Sequence, residues 1–91
     1  MPDSTNAADT LAWAYYQKGI YPLAAGLLEE CVRKAPQNPT YHYHLGLVLQ
    51  KQNENSKARK HLEQVLKIDP KYPEAQRVHK ALSELAVQSP A

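Results

Sequence analysis

Four apolar residues of this chain recur at an offset of 34 positions, and this regularity constrains the fold more than any single residue does. The matched pairs are Leu11 and Leu45, Ala24 and Ala58, Leu28 and Leu62, and Pro36 and Pro70. A period of this length is typical of repeats built from a helix, a turn and a second helix. Because one such unit cannot bury its apolar face alone, the period predicts units that stack on one another.

Apolar residues follow helical spacing in five segments, which turn-forming residues separate. The segments run from about residue 8 to 18, 22 to 34, 40 to 51, 56 to 68 and 74 to 87. Gly19 ends the first segment, and Asn53 forms the corresponding later turn because Asn tolerates left-handed backbone better than most residues. Prolines within 35–39 and 69–73 end the second and fourth helices. Because no segment alternates strictly between polar and apolar residues, the sequence predicts an all-α chain.

Composition and charge exclude several kinds of partner. The formal net charge of +2 is too small to indicate nucleic acid or an anionic membrane surface. No stretch approaches the roughly 20 apolar residues of a membrane span, so we expect no direct membrane insertion in this segment. The single cysteine, Cys31, lies on an apolar stripe between Leu28 and Val32, which predicts a small buried side chain and not a reactive thiol.

The chain lacks the sequence motifs of common catalytic and metal sites. It carries no Gly-rich phosphate loop, no nucleophile elbow and no HExxH or Cys–His spacing. His42 and His44 lie two positions apart, so on one helix they point in different directions and cannot share an ion. His61 and His79 belong to other helices. We therefore expect no enzymatic activity, no cofactor and no metal site.

The order of the recurring residues resembles the tetratricopeptide repeat. The matching positions are Leu11, Ala12, Tyr15, Gly19, Tyr21, Ala24, Leu28 and Pro36, and then Leu45, Gly46, Ala58, Leu62 and Pro70. The resemblance implies an all-α helical-repeat solenoid of two helix–turn–helix units plus a C-terminal capping helix. The implied division is a flexible lead over 1–7, repeats over 8–38 and 39–72, the capping helix over 73–88 and a tail over 89–91.

The resemblance also implies where a partner binds, because the first helix of each repeat in this family lines a concave groove. The candidate groove residues carried over to this chain are Asn6, Asp9, Trp13, Tyr16, Gln17, Tyr43, Leu47, Gln50 and Arg77. Trp13, Tyr16, Tyr43 and Leu47 would form an aromatic and apolar strip. Two interpretations of this strip stay open: contact with a peptide, or packing that closes the core of a short solenoid.

One known specificity of the family, a two-carboxylate clamp for chaperone tails, is not expected here. Among the positions that match the clamp, only Arg77 carries the required type of side chain. Asp9 stands where the clamp needs a cation and would repel a C-terminal carboxylate. Chaperone tails are therefore not the expected partners.

Together these features predict a non-catalytic scaffold that binds a protein or peptide partner in the groove. Two alternatives stay open: a structural cap of a longer repeat array, or a self-associating module that forms a homodimer. A narrower resemblance, carried by residues 9–19 and 38–46, is to the last repeats of bacterial envelope proteins of the exosortase and exopolysaccharide type. It implies a periplasmic or envelope location for a fragment of a repeat lipoprotein; otherwise the location implied is cytoplasmic.

Overall fold

Five α-helices make up the chain in the computed structural model, which describes residues 4–88. They are α1 (Ser4–Gln17), α2 (Tyr21–Lys34), α3 (Pro39–Lys51), α4 (Asn55–Ile68) and α5 (Ala75–Gln88). No strand occurs among these residues, so the predicted all-α fold is confirmed.

The helices form two hairpins and a closing helix. α1 packs on α2 and α3 packs on α4, and each pair is joined by a turn of a few residues. The first hairpin meets the second mainly through α2 and α3, while α5 packs on α4 and touches α3. α2 and α4 do not touch one another. The first helices α1, α3 and α5 are therefore neighbours along one side of the stack.

Local sequence explains where the helices begin and end. Gly19 and Asn53 adopt positive φ angles of 79° and 61° in the turns within the hairpins, as predicted. Asn38 begins α3, because its side-chain oxygen accepts hydrogen bonds from the backbone N–H groups of Thr40 at 2.9 Å and Tyr41 at 3.3 Å. A side-chain cap thus stabilises the first turn of the second hairpin.

Small residues allow the two helices of each hairpin to approach closely. Ala12 and Ala24 in the first hairpin and Ala58 in the second are fully buried. A Cβ atom added at Gly46 would lie 2.7 Å from the Leu62 side chain, closer than real carbon contacts allow. A larger side chain at these positions would therefore push the paired helices apart.

The first helix begins earlier than the sequence predicted. Residues 1–7 were expected to be a flexible lead, but α1 begins at Ser4. Thr5 is buried, its hydroxyl lies 2.8 Å from that of Tyr41, and its carbonyl accepts a hydrogen bond from the Cys31 thiol at 3.5 Å. These contacts hold the first turn of α1 against α2 and α3, so the prediction is wrong for residues 4–7. Residues 1–3 and the predicted tail, 89–91, lie outside the described residues.

The equivalent leucines of the two repeats differ in burial. Leu45 is 1% exposed because α2 packs on α3, whereas Leu11 is 46% exposed. Within residues 4–88, no helix packs on the corresponding side of α1. Leu11 therefore lies on an outer face of the stack. Its helical spacing had suggested a position in the apolar core.

Two buried positions of α5 are offset by 33 residues from those of α3, although the groove-lining residues keep the offset of 34, as in Tyr43 and Arg77. Val78 and Ala81 are buried in α5 as Leu45 and Val48 are in α3, which is an offset of 33 and not 34. His79, which then corresponds to the position of Gly46, is exposed. A polar side chain thus stands where a further second helix would need a small residue, as expected of a capping helix.

Candidate binding groove

An open groove of about 620 Å³ lies between the ends of α1, α3 and α5. Tyr43, Leu47 and Gln50 reach it from α3, because residues spaced by three and four positions share one helix face. The full lining consists of Tyr16, Tyr43, Leu47, Gln50, Lys51, Asn53, Arg77, Lys80, Ala81 and Glu84. Five of the nine residues predicted from the sequence, Tyr16, Tyr43, Leu47, Gln50 and Arg77, are therefore brought together.

The charged lining is mainly basic. Arg77 pairs at 3.1 Å with Glu74, which immediately precedes α5, and the Gln50 amide donates to the Glu84 carboxylate at 3.3 Å. Neither Lys51 nor Lys80 has an ion-pair partner in the part of the chain that the structure describes. The ammonium groups of Lys51 and Lys80 are thus available to contact a ligand.

The two tyrosines of the groove are fixed by neighbouring rings. The Tyr43 ring is only 4% exposed and packs edge-on against Tyr72, with ring centroids 5.7 Å apart. Burial, aided by the Glu74 charge, raises the pKa of Tyr43, while a hydrogen bond from Arg77 opposes that rise. Burial, with a smaller contribution from Tyr21, also raises the pKa of Tyr16. Both phenols are therefore neutral hydrogen-bonding groups near neutral pH.

Trp13 and Asp9 do not line the groove but support it. Trp13 is half-buried between two rings, stacked on Tyr16 at a centroid distance of 4.7 Å and on His44 at 4.2 Å. Asp9 Oδ1 lies 2.7 Å from Nδ1 of His44, with both side chains mostly buried. This cluster joins α1 to α3 directly behind Tyr16.

The remaining two predicted residues lie away from the groove. Asn6 is exposed, and its side-chain oxygen accepts a hydrogen bond from the Tyr41 hydroxyl at 3.0 Å. Gln17 is exposed at the end of α1 and does not line the groove. Asn6 therefore helps to anchor the start of α1.

Sequence reasoning missed five lining residues: Lys51, Asn53, Lys80, Ala81 and Glu84. Ala81 and Glu84 lie four and seven positions after Arg77, so helical spacing from that predicted residue was a signal that could have identified them. Lys80 lies 34 positions after the buried Gly46, so the repeat period did not indicate that its side chain reaches the groove.

Two further features of the structure bear on metal binding and membrane insertion. Among residues 4–88, no group of three or more His, Cys, Asp or Glu side chains is arranged to hold a metal ion. No helix within the same range combines the length and apolar character needed to cross a membrane.

The helices form stacked hairpins, small residues lie at each hairpin contact, and a groove runs along the first helices. Together these features define a helical-repeat scaffold. The tetratricopeptide repeat model matches residues 15–82, and the chain belongs to that family. This confirms the resemblance drawn from the 34-residue period.

Two solved structures of MamA are similar to this chain. A mutant of MamA is 26% identical with a TM-score of 0.83, and the match covers 96% of this chain and 61% of that one. A second MamA structure, labelled AMB-1, is also 26% identical with a TM-score of 0.81, and it covers 96% of this chain and 46% of that one. The chain thus spans less than two thirds of either MamA chain. Among curated proteins, none matches.

The tetratricopeptide repeat is a non-catalytic scaffold fold for protein–protein interaction, and the MamA structures share it. The chain is therefore a protein-interaction scaffold in this general sense. Its narrower resemblance to exosortase-type envelope proteins stays a prediction.

Proposed function

We propose that the groove binds a peptide segment of a partner protein that carries an apolar or aromatic residue beside an acidic one. The observation that carries this proposal is the composition of the groove. Tyr16, Tyr43 and Leu47 supply an apolar wall, and Lys51 and Lys80 stand beside it without ion-pair partners among the described residues.

The aromatic wall is suited to binding because it is already ordered. Tyr43 is held by Tyr72, and Tyr16 is held by Trp13. Immobilising a free side chain on binding costs about 0.5–1.5 kcal/mol, a cost that rings fixed in advance avoid. Tyrosine is also enriched among the residues that contribute most to binding energy.

The lysines favour acidic ligands and select against basic ones. A positive groove attracts an acidic segment during diffusion and penalises like charge on contact. The groove lining carries three basic side chains, Lys51, Arg77 and Lys80, against one acidic side chain, Glu84, so it keeps a net positive charge even with Arg77 paired to Glu74. Binding is therefore expected to weaken as the salt concentration rises.

A random peptide library displayed on phage tests this proposal. Selected peptides are expected to contain an acidic residue close to an aromatic or aliphatic one. Their binding, measured by calorimetry, should be lost in Leu47→Lys and strongly weakened in Lys80→Glu. Lys60→Glu is the matched control, because Lys60 is exposed on α4 outside the groove.

The results of the peptide selection distinguish peptide binding in the groove from the other interpretations of the function. Selected peptides without acidic enrichment, or peptides equally weakened by Lys60→Glu, would contradict the proposal. A library that yields no binder would favour the structural cap, which the exposed His79 on the free side of α5 supports.

A further inference from the structure

Three cationic side chains line the candidate binding groove, and they come from two helices. Lys51 ends α3, while Arg77 and Lys80 belong to α5. Because Arg77 and Lys80 are three positions apart, they are neighbours on the surface of α5. All three side chains are exposed, and Glu84 is the single acidic residue among those that line the groove. Like charges this close on one helix reduce stability slightly, and a bound anion would relieve their repulsion.

Arg77 is already restrained at the wall of the groove. Its Nη1 atom lies 3.1 Å from Oε1 of Glu74, and its guanidinium also donates a hydrogen bond to the Tyr43 hydroxyl. A guanidinium has five N–H donors, so these two contacts leave donors for a ligand. Because both contacts restrict Arg77, an anion that binds it orders this side chain less than it would order a free arginine.

The two lysines and several neutral groups add further donors to the lining. Lys51 and Lys80 form no ion pair within residues 4–88. Asn53, in the turn that follows α3, contributes an exposed amide. Because burial raises the pKa of Tyr16 and of Tyr43, both phenols keep their protons near neutral pH. The lining is therefore rich in donor groups, and three of them carry a positive charge.

A phosphate monoester matches this set of donors better than a carboxylate does. It carries a charge of about −1.5 to −2 at neutral pH and three strong acceptor oxygens. The carboxylate of an acidic residue carries one charge and two oxygens. Each of the three cations can contact a different phosphate oxygen, whereas a carboxylate would leave one cation without an anionic partner.

The apolar part of the lining indicates which residue carries the phosphate. Tyr16 and Leu47 are half-buried, and Ala81 directly follows Lys80 in α5. Apolar surface and positive charge therefore line the same groove. A phosphotyrosine has both matching features in one residue, because its phosphate is attached to an aromatic ring. A phosphoserine lacks the ring and would leave the apolar wall uncovered.

We propose that the groove binds a phosphorylated tyrosine within a segment of the partner protein. This proposal rests on the proposed function and assigns the aromatic and the acidic feature of the ligand to one residue. Lys51, Arg77 and Lys80 contact the phosphate oxygens, and Tyr16 and Leu47 contact the ring. Phosphorylation of the partner then controls its association with this chain, because removal of the phosphate leaves the three cations without an anion.

Peptides with a fixed phosphotyrosine and random flanking positions test the proposal. A selected sequence is synthesised in four forms, with phosphotyrosine, tyrosine, phosphoserine or glutamate at the fixed position. The four affinities are then measured by calorimetry. The phosphotyrosine form is expected to bind at least about tenfold more tightly than each of the others, since it alone combines the ring with hydrogen bonds between charged groups.

Charge variants of the groove show whether the phosphate contacts the lysines. Lys51→Gln and Lys80→Gln should each reduce the preference for phosphotyrosine over tyrosine by about tenfold. Glu84→Gln should increase that preference, because it removes a negative charge while the amide can still bond to Gln50. Lys60→Gln is the matched control, since Lys60 is exposed on α4 outside the groove. The tyrosine form reports any change in the groove that is unrelated to the phosphate.

The results distinguish this proposal from the proposed function. A glutamate form that binds as tightly as the phosphotyrosine form would overturn the role of the phosphate and leave the peptide groove supported. A phosphoserine form of equal affinity would overturn the assignment to tyrosine. A preference for phosphotyrosine that both lysine variants retain would also contradict the proposal. If none of the four forms binds, both the phosphotyrosine site and the peptide groove are overturned.

Discussion

The Nδ1 atoms of His42 and His61 lie 3.0 Å apart across the contact between α3 and α4. The other ring nitrogen of His42, Nε2, lies 2.8 Å from the carbonyl oxygen of Pro36. Since a carbonyl only accepts, His42 carries its proton on Nε2 and accepts at Nδ1. His61 must then donate from Nδ1. The pair joins α3 to α4, and His42 also joins the second hairpin to the segment that precedes it.

This histidine pair predicts that the protein loses stability in mild acid. Burial, and the proximity of His42, lower the pKa of His61 below its ordinary value of 6.5. The folded state therefore binds fewer protons than the unfolded state below that pH, so the free energy of unfolding falls as the pH falls through this window. We expect the urea midpoint to decrease between about pH 7.5 and about pH 5.5, the range around an ordinary histidine pKa.

A variant that keeps the hydrogen bond to His42 but cannot be protonated at position 61 isolates the contribution of His61 to the acid sensitivity. His61→Gln supplies an amide donor for His42 and should reduce the acid-induced decrease of the urea midpoint. His79→Gln should leave the decrease unchanged, because His79 is exposed. An equal decrease in wild type and His61→Gln would show that other groups cause the acid sensitivity.

Two glycines in helices predict opposite responses to the same substitution. In Gly46→Ala the new methyl group meets Leu62, while at Gly26 nothing lies within 4 Å of the added atom. Both variants gain the helix preference of alanine, about 1 kcal/mol, so their difference reports packing alone. We expect Gly26→Ala to be the more stable by about 1–3 kcal/mol in chemical denaturation. Equal stability would mean that Leu62 moves aside at no cost.

The buried hydroxyl at the start of α1 predicts a measurable role for a segment that sequence reasoning assigned to a flexible lead. Thr5→Val keeps the side-chain shape but removes the hydrogen bond to Tyr41, and it should lower the free energy of unfolding by about 0.5–1.5 kcal/mol. Thr10→Val is the control, because the Thr10 hydroxyl is exposed and bonds only within its own helix. Similar melting temperatures for the two variants would contradict this role.

The stacked rings around Trp13 predict that it supports the groove and does not form its surface. Trp13→Ala removes two ring pairs worth about 0.5–1.5 kcal/mol each, in addition to the apolar burial of the indole, so we expect a loss of at least about 1–3 kcal/mol. Gln17→Ala on the same helix should have little effect. Binding of a selected peptide should weaken as Tyr16 loses its support. Unchanged stability with complete loss of binding would instead indicate direct contact between Trp13 and the ligand.

The repeat fold could be predicted from the sequence because its determinants are local or periodic. Gly19 and Asn53 need positive φ angles wherever such a turn occurs, and the small residues at Gly46 and Ala58 follow from the spacing of two packed helices. The same argument predicted burial of Cys31, which is 1% exposed. These features depend on the hairpin alone.

The structural features that could not be predicted from the sequence depend on which helix surfaces pack against one another. Leu11 and Leu45 occupy the same repeat position, and only the presence of α2 beside one of them decides their burial. Asp9 and Trp13 were assigned to the groove because the family resemblance implies that their positions on the first helix face a partner. They contact His44 of the next repeat instead, a partner 35 and 31 positions away that periodicity does not identify.

The cap at Asn38 and the bond from His42 to Pro36 have a consequence for the energetics of recognition. Both attach the short link between the hairpins to α3. A link fixed in this way orders the proposed groove in advance, so we expect a peptide ligand to adopt the shape of the groove and not the reverse. Differences in affinity among related segments should follow the flexibility of those segments in solution, and stiffening a ligand in its bound shape should strengthen binding more than enlarging it.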